Sequence, residues 1–248
     1  MTAYRGATAA GVFTNTVFGF LLAYVLLAVY RQRPRVGGFD ARDAVTFTFV
    51  AQGLIMVMAM FGDSEMGGRI RTGDVVADLY RPADYQGWWA AVAYGKAAFY
   101  LVFRGVPPFV LGALVLGVRL PPADAVPWFA VSLMAGVAVA FGWRFLLGLS
   151  GFWLLDDRGP TSIGLFLAVF FSGMVVPVVF FPPWLETVAR ALPFASMIQV
   201  PAEIFLGKHR GGAALAAVVI QLAWALALAV AGRVVLGRAV RRVVVHGG

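Results

Sequence analysis

An all-helical integral membrane protein with six transmembrane helices is the fold class this sequence predicts. Three observations carry it. Of the 248 residues, 61% are hydrophobic and only 13% are charged, with a mean hydropathy of +0.84. Soluble domains carry about 25% charged residues. Six apolar stretches cover residues 13–30, 45–62, 90–117, 128–155, 163–181 and 213–235, each near or above the ~17–25 residues a crossing helix needs. A further apolar stretch, 182–207, is broken by prolines into pieces too short to cross.

The first span leads into Arg31-Gln32-Arg33-Pro34-Arg35 with no small-residue cleavage pattern. It therefore reads as a retained span rather than a signal peptide. The third and fourth are long enough to tilt or to extend beyond the lipid. Trp88, Trp89 and Trp128 sit at span ends, where aromatic belts form. Within the fourth, Gly136/Ala140, Ala138/Gly142 and Gly148 recur at the spacing of close helix contacts. After the sixth, Arg238, Arg241 and Arg242 alternate with Val240, Val243 and Val244, a basic amphipathic end suited to lipid headgroups. No connection has room for a soluble domain, so residues 1–248 read as one membrane domain. An even span count puts both termini on one side. Charge does not choose the side: nine basic residues fall on one set of connections and eight on the other.

The broken stretch follows Pro182 and Pro183. Residues 184–192 would form a helix ~14 Å long at ~1.5 Å per residue, against a hydrocarbon core about 30 Å thick. Trp184, Leu185, Val188, Leu192 and Phe194 are too apolar for an ordinary solvated loop. The stretch reads as two short helical pieces, broken at Pro193 and Pro201, that dip into the membrane or lie on it. Irregular backbone at that depth must be buried by protein or hydrated by a cavity.

The connection between spans two and three is the most structured polar part. Residues 63–73 read as a turn-rich approach. Asp74 is placed to cap a short helix through Arg81, stopped by Pro82. Val75/Leu79 and Val76/Tyr80 pair at i, i+4, and Arg81 suits the negative end of the helix dipole. Two readings stay open: a helix lying on headgroups, and a docking knob for a partner.

Several chemistries are missing. There is no cysteine, and the two histidines, His209 and His246, lie outside the apolar spans. No G-x-x-x-x-G-K-[ST] loop surrounds Lys96 or Lys208, the two lysines. No H-E-x-x-H, G-x-S-x-G or paired intramembrane carboxylates occur. No metal, nucleic acid or nucleotide is expected on this chain. Three cations sit inside spans. Lys96 is near enough to an end to snorkel. Arg104 and Arg144 lie deeper, roughly 20 and 16 Å from the nearer inner end at ~1.5 Å per residue. Their partners must come from Asp63 or Glu65, lipid phosphate, backbone carbonyls or a cargo. Pro107 and Pro108 would free carbonyls close to Arg104. Both arginines read either as structural or as lining a pathway.

An ordered set of motifs carries a resemblance. It comprises Arg69-Ile70-Arg71-Thr72-Gly73 with Leu79-Tyr80-Arg81-Pro82, then Gly151-Phe152-Trp153-Leu154. Ser172-Gly173 with Pro177 follows, then Phe181-Pro182-Pro183-Trp184-Leu185 and Leu192-Pro193-Phe194. Pro201 with Ile204-Phe205-Leu206-Gly207 and a terminal Gly-Gly complete it. In this order they resemble the permease subunits of bacterial type-2 ABC exporters along nearly the whole chain.

The resemblance implies six spans in the bacterial cell membrane with both termini cytoplasmic. It implies that the helix around 74–81 is the coupling helix. Arg69, Arg71, Gly73, Asp74, Val75, Leu79, Arg81 and Pro82 would then face an ATP-binding subunit. The stretch 182–207 would be an outer re-entrant pair, with Pro182, Pro183, Trp184, Pro193, Phe194 and Pro201 forming its gate. ATP and Mg would be held by that separate subunit, and two permeases, identical or related, would pair in the bilayer. One departure is residues 1–12, which with Arg5 as their one charge make a poor match to the family's amphipathic elbow helix. The implied activity is ATP-driven export of an amphipathic or lipid-like compound. The competing readings are a flippase or scramblase without ATP partners, and a channel or membrane enzyme. The missing acid, histidine and thiol clusters argue against an enzyme.

Overall fold

Proline and glycine punctuation divides the chain into helices of very unequal length. A computed structural model describes residues 2–61, 64–154 and 156–243. Asp63, Leu155, Val244, His246 and the terminal glycines, which the sequence reading used, lie outside the described residues. Among those described there is no strand, only an isolated bridge between Val36 and Phe39 across the Gly37-Gly38 turn.

Helix α1 (Thr2–Gln32) runs without a break through the residues that match the elbow helix poorly. Among the described residues there is thus no separate elbow helix; the first span is simply longer at its start. Helix α2 (Ala41–Val57) begins at a capping box, in which Asp40 and Asp43 each accept from the other's backbone N–H. It stops five residues before the expected boundary. Met60 N donates to Ile55 O at 2.9 Å and Ala59 N to Met56 O at 3.1 Å. That is a Schellman ending, and Ala59 takes the left-handed conformation (φ 50°) usually left to glycine.

Residues 65–72, read as turn-rich from their two glycines, instead form helix α3 (Glu65–Thr72). Ser64 Oγ accepts from Gly67 N at 3.0 Å at its start, and Gly73 at φ 81° closes it. Gly67 is there for space rather than for a turn: an added Cβ would lie 1.9 Å from Asp157 Oδ2. Helix α4 (Val75–Leu79) is shorter than expected. Asp74 does not cap it; its carboxylate accepts from Thr72 Oγ1 at 2.8 Å.

The third span is one long rod, α5 (Tyr85–Tyr100), a π-helical turn at Leu101–Gly105, and α6 (Val106–Leu116). The π turn lies just before Pro107 and Pro108, whose missing N–H groups free the carbonyls one turn back. Trp89, expected in an interfacial belt, is instead buried among Tyr85, Phe145 and Leu149, while Trp88 is exposed. Helix α7 (Ala125–Leu149) and the short α8 (Gly151–Leu154) follow. The small residues of α7 do what their spacing predicted: Gly142 faces Leu228 and Gly136 faces the Ser196 and Met197 carbonyls.

Helix α9 (Arg158–Phe171) ends ten residues before the expected boundary at 181. At ~1.5 Å per residue its 14 residues reach only about 21 Å. Gly173 turns at φ 81°, and the chain continues to a 3-10 turn at Val178–Phe180. After helix α10 (Pro183–Ala191) come a second 3-10 turn (Pro193–Ser196) and helix α11 (Gln199–Phe205). Pro193 breaks the helix as expected. Pro201 does not: it occupies the first turn of α11, where a proline N–H is not needed. Helix α12 (Gly212–Val243) carries the sixth span straight into the basic tail.

Four segments are long and apolar enough to cross a membrane: Thr8–Gln32, Tyr85–Leu116, Ala125–Leu154 and Gly212–Arg241. Helices α2 and α9 are shorter. The main core lies around α2, α7 and α11, with Phe47, Leu54, Met58, Met197 and Ile198 almost wholly buried.

Ion pairs gather at two sets of connections. Asp43 pairs with Arg119 and Lys208, both at 2.6 Å, and so joins the connections before α2, after α6 and after α11. The other set is at α3 and α4. Arg71 reaches Asp157 ahead of α9, Lys96 pairs with Glu65, and Arg233 of α12 pairs with Asp84.

Candidate functional site

Three places answer to the sequence-predicted residues: the α3–α4 elbow, the two half-buried arginines and the broken stretch after α9. In the elbow, α3 and α4 are clamped by Arg69, whose Nε and Nη2 both donate to Asp78, the second at 2.8 Å. The Asp78 carboxylate raises the Arg69 pKa. Arg71 donates to Asp157 and thereby ties α3 to the start of α9. Asp84 accepts from Gly87 N at 2.6 Å as the cap of α5 and pairs with Arg233. The Arg233 hydrogen bonds hold the Asp84 carboxyl below its usual range.

These contacts sort the expected coupling residues. Arg69 and Arg71 point inward as braces, and Gly73 supplies a left-handed corner. Val75 is buried, and Leu79 packs on the cluster of Met66, Tyr85, Trp89 and Leu236. The exposed face consists of Val76 (40% exposed) and Tyr80 (85%), with Asp74, Arg81 and Pro82 around it. Arg81 lies 3.7 Å from Asp78 and over the Trp88 ring. Sequence reasoning paired Val76 with Tyr80 but did not separate their face from that of Val75 and Leu79.

The two deep arginines sit in different surroundings. Arg144 Nη1 donates to Ala59 O at 2.6 Å, on the left-handed corner that ends α2. It also lines a small cavity of about 130 Å³ with Glu65, Lys96 and Trp89. A backbone carbonyl, one of the expected partners, thus takes part of its charge. Arg104 lies in the π turn, against α1. Its guanidinium packs on Gly11, where an added Cβ would fall 1.4 Å from Nη2, and stands 5.7 Å from the centre of the Tyr100 ring. It lines a cleft of about 610 Å³ with Thr14, Asn15, Phe18, Gln52 and Met174.

The broken stretch is held by a polar network the sequence reading missed. Gln199 Oε1 accepts from Val178 N at 2.9 Å, and Gln199 N donates to Ser172 O at 2.9 Å. One side chain and its own backbone therefore satisfy both ends of the irregular segment after α9, as burial requires. Gln199 Nε2 in turn donates to Glu203 Oε1 at 2.9 Å. Glu203, 4% exposed, accepts two hydrogen bonds from Arg190, at 3.0 and 2.7 Å, and lies 3.0 Å from His209 Nε2. Burial alone raises the Glu203 pKa; the bonds from His209, Arg190 and Gln199 outweigh it and hold the group at about 2. The signal that could have found the network was a Gln and a Glu, four apart, inside an otherwise apolar run.

The expected gate residues divide. Pro182, Pro183 and Trp184 are exposed on α10, whereas Pro193, Phe194 and Pro201 are buried. Phe194 packs edge-on against Trp143 at 5.0 Å.

With the helical bundle and its bracing described, the comparison with known families is decisive. A family model described as ABC-2 family transporter protein matches residues 13–247. The chain belongs to the ABC-2 transporter family. As an ABC-2 family member it is a multi-pass membrane transport subunit, a permease rather than the ATPase itself. No curated protein and no solved structure matches it.

Proposed function

We propose that this ABC-2 permease is the membrane subunit of an ATP-driven exporter, energised by a separate ATP-binding chain that holds ATP and Mg. The observation that carries the reading is the α3–α4 elbow. Its inner face is braced to α9 by Arg71–Asp157, while Val76 and Tyr80 stand exposed on its outer face. A push on that face is passed to α9 by the ion pair of Arg71 with the buried Asp157, and Arg233–Asp84 ties the neighbouring start of α5 to α12. In this reading α3–α4 is the cytoplasmic coupling element, and two copies of the permease, or two related ones, pair in the bacterial cell membrane.

The same reading has six crossings, with α2 and α9 as the short ones and both termini in the cytoplasm. The segregation of ion pairs supports it. Asp43, Arg119 and Lys208 link the connections that follow the first, third and fifth crossings. Arg71, Asp157, Asp84 and Arg233 link those that follow the second and fourth crossings, together with α12. The stretch from α10 to α11 is then an outer re-entrant lid, pinned by Gln199 and Glu203. The cargo is an amphipathic or lipid-like compound, as the apolar cleft beside α1 suggests.

The test is reconstitution with the ATP-binding chain that co-purifies with it. ATP should drive an amphiphilic dye across the vesicle wall, and a non-hydrolysable analogue should not. Equal movement with and without ATP would instead identify a scramblase.

A further inference from the structure

The cleft beside α1 holds a cation that the fold does not use up. Arg104 Nε is buried without a hydrogen-bond partner. Among the described residues no carboxylate lies within ion-pair distance of Arg104, and no Asp or Glu lines the cleft. Its guanidinium stands over the Tyr100 ring face and against Gly11. A buried donor left unpaired is destabilising, and more so when it is charged. An arginine keeps its charge and presents a planar fork matched to carboxylate or phosphate oxygens.

The surroundings are those of a ligand site rather than a packing flaw. Asn15, whose Nδ2 donates to Gln52 O at 3.3 Å, and Gln52 place amide groups in the same cleft. Phe18, Leu22, Ile55, Met56 and Val175 supply apolar walls. The volume, about 610 Å³, falls in the ~300–1,000 Å³ range of small-molecule sites. Gly11 leaves the guanidinium its place, since any side chain there would displace it.

We propose that this cleft binds an amphiphile with one acidic headgroup, its oxygens on Arg104 and its tail along Phe18 and Met56. The inference rests on the export reading for where the ligand goes, but not for whether it binds. The π turn contributes directly, because it widens the rod at the point from which Arg104 projects.

Binding to the purified permease alone, in an uncharged detergent, tests this by native mass spectrometry. The probes are hexadecanoate, its methyl ester and inorganic phosphate. The acid should bind about tenfold tighter than the ester, the factor one charge-assisted hydrogen bond supplies, and phosphate should not be retained. Arg104→Gln should remove that preference and leave ester binding as it was; Gly11→Ala should weaken it by moving the guanidinium. Equal binding of acid and ester by the wild-type chain would overturn the proposal, as would phosphate competing as well as the acid. So would a preference that survives in Arg104→Gln. If that variant does not fold, the wild-type comparison still decides. The assay contains no ATP-binding chain, so its failure leaves ATP-driven export standing, and failure of ATP-driven export leaves its result standing.

Discussion

Arg190 grips Glu203 through two hydrogen bonds across the bend at Pro193, and this pair joins the two helices of the broken stretch. Helix α10 lies at the surface with Trp184 exposed, and α11 is buried. The pair is therefore the bolt between an outer piece and an inner one. Arg190→Ala should cost about 2–3 kcal/mol. That is below the ~3–5 of a fully buried pair, because the arginine side chain is 35% exposed and partly screened. Thermal unfolding in detergent would register the loss.

The same bolt predicts an acid response. Glu203 is held at about 2, below the 4.5 of an ordinary glutamate. A depressed carboxyl contributes stability that is present above the unfolded pKa and lost as pH falls through the folded one. The α10–α11 region should thus stay protected at neutral pH and loosen as pH falls from 4.5 towards about 2. Hydrogen exchange of residues 183–205 across that range is the measurement. Glu203→Gln should remove the pH dependence.

Ala59 offers a stabilising change. It sits at φ 50°, where glycine carries no Cβ penalty. Ala59→Gly should raise stability by about 0.5–1 kcal/mol, read as a higher melting temperature. Arg144→Gln, which removes the donor to the Ala59 carbonyl, should fray the end of α2 and speed exchange at Met58 and Met60.

Packing of α7 on α12 sets another expectation. A Cβ at position 142 would lie 2.8 Å from Leu228 Cβ. Gly142→Ala should therefore destabilise by about 1–3 kcal/mol, measured by the same melts.

The sequence reading reached the all-helical membrane class, four of its six expected spans as long apolar helices, and short helices near 74–81 and within 182–207, because hydropathy and proline positions report those directly. It erred where long-range contacts decide. The glycines of α3 read as turns because nothing local reveals that Asp157 presses on Gly67. Helix α9 looked longer because residues 174–181 are apolar, yet Gln199 of a later helix satisfies the unwound backbone at Val178. The ion pairs of Arg69 with Asp78 and of Arg71 with Asp157 were not legible either, because their partners lie nine and 86 residues away. The exposed face of Val76 and Tyr80 separates from that of Val75 and Leu79 only through the packing of the latter pair against Met66, Tyr85, Trp89 and Leu236, which lie in other elements.

In the proposed reading Tyr80 is the position that tests docking, because it is exposed whereas a change at Leu79 would also disturb the cluster that Leu79 packs against. Co-purification of the ATP-binding chain with the permease, scored by ATPase activity in the isolated complex, tests the central claim most directly. The account predicts that the wild-type permease retains an active ATPase. It predicts that Tyr80→Ala weakens association by about 2 kcal/mol, roughly 30-fold, while the permease still inserts and melts normally. A wild-type permease that retains no ATP-binding chain, or a Tyr80→Ala permease that retains as much ATPase as wild type, would contradict it.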